Sequence, residues 1–118
     1  MATIALAELS GSTDGRMIKV VATATPGTLL HTAGAVTGDD NYDDILLEAV
    51  NSDTTDRKLT IEWGGVTAPD DLIELTIPAE AGLVMVVRGI LQNALIARAF
   101  AATANVILIR GQVWKVRA

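Results

Sequence analysis

Between Arg57 and Trp63 apolar and polar residues alternate: Leu59, Ile61 and Trp63 fall on one side, Lys58, Thr60 and Glu62 on the other. A period of two is that of a strand with one face in a core and one in water. Leu72 to Ile77 repeats the alternation between Pro69-Asp70-Asp71 and Pro78. The same reading along the chain marks Arg16–Thr25, closed by Pro26-Gly27, then Thr28–Thr32 and Asp44–Val50. Gly82–Leu91, Leu95–Ala101 and Asn105–Val116 complete the set. The polar run Asn51 to Asp56 and the pair Gly64-Gly65 supply turns between them. About eight strands at roughly ten-residue spacing predict an all-β fold, an antiparallel β-sandwich or barrel. Its core is expected to hold Leu59, Ile61, Trp63, Leu72 or Ile73, and Ile77. Helix is the weaker reading: Ala94 to Ala104 is Ala-rich but has no capping box, leaving room for one short turn.

Residues 1–15 read as an N-terminal arm and 16–118 as a single sandwich domain. The arm carries Ile4, Leu6 and Leu9 ahead of a Gly/Ser-rich hinge, Ser10 to Gly15. Such a segment either frays or docks on something.

Two stretches break the alternation. Gly82-Leu83-Val84-Met85-Val86-Val87 and Val106-Ile107-Leu108-Ile109 are apolar on both sides, although one face of a sandwich sheet normally meets water. Either a loop or a chain terminus covers the second face, or another subunit does. The interface reading assigns subunit or partner contacts to Val84, Met85, Val86, Val87 and Ile90, together with Ile4, Leu6 and Leu9 of the arm.

Composition narrows the function classes. The 118 residues are 50% hydrophobic and 19% charged, a balance opposite to that of disordered chains. Aromatic residues are only 3%, so the core must be aliphatic. There is no cysteine and a single histidine, which excludes a disulfide scaffold and leaves His31 as the one strong nitrogen ligand. A net charge of -5 argues against nucleic acid as a partner. The N-terminus lacks the charged start and apolar stretch of a secretory signal. The nearest approach to a membrane span, Gly82 to Phe100, is broken by Arg88, Gln92, Asn93 and Arg98. A soluble protein made in a cytoplasm, with no membrane partner, is expected.

Candidate chemistry is thin. The acidic turn Asp39, Asp40, Asn41, Asp43, Asp44 invites calcium, but an EF-hand would need Gly where Asp44 stands and Glu where Val50 stands. It reads as a solvated turn, as do Asp53/Asp56 and Asp70/Asp71. His31 has no acid or nucleophile at a spacing that reads as a triad, and the glycines form no phosphate-binding loop. No catalytic residue, cofactor or metal site is assigned, and no enzyme activity is expected. Trp63 and Trp114 could stack on sugars as in a lectin-like sandwich. Trp63 lies on the apolar face, and Trp114 is open to either reading.

The run AVNSDTTDRKLTIEWGG (Ala49–Gly65), then IPAEAGLVMVV (Ile77–Val87) and NVILIRGQVWKV (Asn105–Val116), resembles small tailed-bacteriophage head decoration, or cement, proteins. The resemblance covers roughly residues 28 to 116. It implies a jelly-roll-like β-sandwich and a structural virion protein on the capsid exterior, assembled in the host cytoplasm. It further implies a homotrimer at local three-fold positions, with the major capsid protein and its own copies as partners and no cofactor. The alternative is a carbohydrate- or host-surface-binding module of a tail or fibre.

Overall fold

The computed structural model describes residues 2–118, and all of its regular structure is β. Nine strands follow one another: β1 (Thr3–Glu8), β2 (Ile18–Lys19), β3 (Thr28–Thr32), β4 (Tyr42–Asn51), β5 (Arg57–Trp63), β6 (Leu72–Ile77), β7 (Val84–Leu91), β8 (Ile96–Ala101) and β9 (Ile107–Arg117). The bounds of β3, β5 and β6 match the sequence reading. Arg16–Thr25 does not: only Ile18 and Lys19 pair as a strand there. No helix forms among the described residues, and the Ala-rich candidate is strand β8 with its flanking turns.

The antiparallel pairs β2·β9, β3·β8, β4·β7 and β5·β6 nest inside one another. They amount to one long hairpin, closed at β5–β6 and rolled so that successive pairs fall in alternate sheets. One sheet runs β1-β9-β4-β7, with β2 also on β9; the other runs β3-β8-β5-β6. This is jelly-roll connectivity, a double-sheet solution in which sequence-distant strands become neighbours. The antiparallel sandwich is therefore the observed fold.

The core lies between the sheets. Ile45, Leu47 and Ala49 of β4, with Ile107, Ile109 and Val113 of β9, face Leu59 and Ile61 of β5 and the alanines of β8, all buried. Across β5–β8 the register sets Leu59 beside Ala101, Ile61 beside Ala99 and Trp63 beside Ala97. Each large side chain thus has a small neighbour, and a core almost without rings fills evenly. Each aliphatic side chain buried there contributes about 1.5–3 kcal/mol. Trp63 itself is half-buried, packed on this core and against Gly89, while Leu72 stays partly exposed.

Four expectations change. Of the 1–15 segment Met1 lies outside the described residues, and the rest is not an arm apart from the sandwich, because β1 pairs with β9 from Thr3↔Arg117 to Glu8↔Gln112. Leu9, expected at an interface, is 1% exposed and belongs to the core cluster. On β5 the polar side is buried as well: Thr60 and Glu62 are both covered, and the Thr25–Gly27 loop crosses over Glu62. Thr25 Oγ1 donates to Glu62 Oε2 at 2.5 Å and the Gly27 N–H donates to Oε1 at 2.6 Å. Gly27 lies directly on the Ala99 backbone, where a Cβ would collide.

The fourth change explains the two-faced stretch on β7. Its pairing with β4 slips between Leu47 and Glu48: Leu47 meets Val87, and Glu48 meets Met85. Val86 is the extra residue of a bulge. Val86 and Val87 both pack against the core, so consecutive valines point inward and only Met85 of the three is turned out. Val84, opposite Ala49, shares its inner side. These valines are therefore held mainly by their own subunit.

Candidate interaction surface

Residues paired across antiparallel strands lie on the same face. The outer face of the five-stranded sheet can therefore be read row by row. One row runs Leu6, Trp114, Asp44, Ile90 across β1, β9, β4 and β7. Beside it stand Ile4, Val116 and Tyr42, and on the other side Glu8, Gln112, Leu46 and Arg88. A further row holds Arg110, Glu48 and Met85. Of the expected interface residues, four project here: Ile4 is 68% exposed, Leu6 63%, Met85 62% and Ile90 54%.

Four of the charges on this face are paired with one another. Arg88 bonds Asp44 through Nε at 3.2 Å and Nη2 at 3.0 Å, and Arg110 bonds Glu48. The Asp44 carboxylate holds the Arg88 guanidinium above its ordinary range. Arg88 also lies over the Trp114 ring, 4.4 Å from its centroid. That stacking occupies one face of the indole and leaves aliphatic side chains as the exposed surface around it.

Strand β1 adds an unpaired edge. Sheet margins normally carry charges, bulges, prolines or a covering loop. Strand β7 has its bulge and Arg88. Strand β3 has a bulge between Leu29 and His31 and is capped by Ser10 and Gly11: Gly11 N–H donates to Leu30 O, and Thr32 N–H to Ser10 Oγ. Strand β6 carries Glu74, bonded to Lys58 at 2.8 Å, and ends at Pro78. Strand β1 reads Thr-Ile-Ala-Leu-Ala-Glu, with no bulge, no proline and a charge only at its last position.

A buried polar cluster escaped the sequence reading. His31 and Asp43 are both buried, with Nε2 and Oδ2 2.8 Å apart. The Ser10 N–H donates to His31 Nδ1 at 2.9 Å, so the ring carries its proton on Nε2 and donates it to Asp43. Arg117 bonds the other Asp43 oxygen at 2.8 Å. Burial pushes the Asp43 carboxyl up, but the hydrogen bonds from His31 and Arg117 outweigh it and hold the group below its ordinary value. Asp43 therefore is no part of a solvated turn: it ties β3, β4 and the end of β9 together. The Ser10 hydroxyl is turned to Thr32, away from the imidazole. Among the described residues, no three His, Asp or Glu side chains converge as a metal site.

No protein-family model matches the chain, and neither do curated proteins or solved structures.

Proposed function

We propose that this protein is a structural virion component: a decoration or cement protein that binds the outer surface of a phage head and stabilises it. The observation that carries the reading is the unprotected β1 edge with Ile4 and Leu6 exposed beside it, together with Met85 and Ile90 exposed on the opposite edge strand β7 of the same outer face. A small domain exposing such a surface gains by covering it with protein. The partners proposed are further copies of this chain and the major capsid protein. Ile4, Leu6, Met85 and Ile90 make the contact, without the buried Leu9. The sequence resemblance favours a trimer at a three-fold capsid position. The acidic net charge suits the exterior of a capsid, away from packaged DNA.

A sugar- or host-binding module is less well supported. It would use free aromatic faces, yet Trp114 is stacked under Arg88 and Trp63 packs on the core.

Mass spectrometry of particles purified from cells making this protein tests the reading. A copy number comparable to the major capsid protein supports decoration. A handful of copies per particle, or absence from particles, rejects it.

A further inference from the structure

We propose a second site, distinct from the apolar face: a cleft at one end of the four-stranded sheet that binds a short aliphatic carboxylate. Its floor is Ile96 and Arg98, alternate residues of β8 that share the outer face. Its walls are Val66 and Leu95, both exposed aliphatic side chains. The cleft is open to solvent on one side and offers about 200 Å³. An apolar cavity of about 150 Å³ takes a benzene ring, so this one admits a chain of about six carbons.

The rim is built with local strain. Asn93 and Ala94 both adopt left-handed backbone, φ 59° and 58°. For alanine that conformation costs on the order of 1 kcal/mol. Hydrogen bonds from Asn93 N–H to Val36 O and from Ala94 N–H to Gly34 O hold the turn in place. It delivers Leu95 to the cleft opposite Gly64, itself at φ 79°.

Arg98 supplies the ligand's charge preference. Arg57, Arg88, Arg110 and Arg117 each bond a carboxylate. Arg98 is half-buried and bonds none among the described residues; its one side-chain hydrogen bond there is a long 3.4 Å one to Gly27 O. Its cross-strand neighbour Glu62 already accepts from Thr25 and Gly27. A guanidinium with free donors beside apolar walls selects an anion carrying a hydrocarbon body, and its planar fork matches a carboxylate.

The experiment is a nuclear magnetic resonance titration of the intact protein with hexanoate, with hexanol as the uncharged control. The expected result is a saturable shift of the Val66, Ile96 and Arg98 amides with a dissociation constant on the order of millimolar. Hexanol is expected to bind at least about tenfold more weakly, and Arg98→Gln to weaken hexanoate by about the same factor. Arg98→Lys keeps the charge and should retain part of the binding. No saturable shift at these amides overturns the proposal. So does equal binding of hexanol, or an Arg98→Gln protein with an unchanged fold and unchanged affinity. The outcome is independent of whether the protein decorates a capsid.

Discussion

His31 Nε2 and Asp43 Oδ2 meet at 2.8 Å inside the protein, joining β3 to β4 although the two lie twelve positions apart in sequence. Removing His31 takes one hydrogen bond from the buried Asp43 carboxylate, which keeps Arg117, and Asp43→Asn replaces the charged acceptor of the His31 Nε2–H. Asp43→Asn and His31→Ala are therefore each expected to lower stability by about 1–3 kcal/mol. The double variant should be less destabilised than the sum, with a coupling of about 0.5–3 kcal/mol. Urea unfolding of the three proteins measures it. Strict additivity would show that the pair is not coupled.

The depressed Asp43 carboxyl also sets a pH dependence. Its ordinary value is 3.8, and in the folded protein it lies lower. The unfolded chain thus takes up the proton first as pH falls. The stability from this group is complete above the ordinary value and is lost as pH drops through the folded value. Thermal unfolding should show a steep loss of stability below about pH 4, and Asp43→Asn should flatten that limb. An identical acid limb in wild type and Asp43→Asn would assign the loss to other carboxylates.

Strand β1 should be the weak point for association. Ile4→Lys and Leu6→Lys place charges on its exposed side without touching the core, since both side chains lie on the solvent face. Light scattering of the wild type should give about three times 12.4 kDa, and the variants should approach 12.4 kDa while the β signal persists. A wild type already monomeric at micromolar concentration would remove self-association from the proposed function.

The β7 bulge predicts opposite outcomes for near neighbours. Val87→Asp puts a charge opposite Leu47 in the core and should destabilise the fold by about 2–4 kcal/mol or more. Met85→Asp changes an exposed position and should stay within about 0.5 kcal/mol of wild type while weakening association. Circular dichroism melting separates the two. Equal destabilisation by both would contradict the bulge.

Strands β3, β5 and β6 were legible because turn residues bound them closely: Pro26-Gly27, Asp53 to Asp56, Gly64-Gly65 and Pro78. Strand β1 was not, because Ile4-Ala5-Leu6-Ala7 is apolar at every position and gives no polar side by which to recognise a sheet margin. The burial of Glu62 could not be read from alternation, which describes one strand and says nothing of a loop lying across it. Likewise a period of two assumes an unbroken ladder, so the bulge at Val86 made an inward pair of valines look like two apolar faces.

The amino-acid order by itself determined the class of the fold, because hydrophobic period and turn chemistry are local properties that each strand carries alone. It also determined that the core is aliphatic and that the chain is acidic. Which strands become neighbours was decided only when the hairpin rolled up, bringing β1 and β4 to either side of β9 and His31 to Asp43. That step follows from burial summed over the whole domain, a quantity that no single segment contains. The same step left Ile4, Leu6, Met85 and Ile90 outside, since a two-layer sandwich covers one face of each sheet and leaves the other to solvent or to a partner.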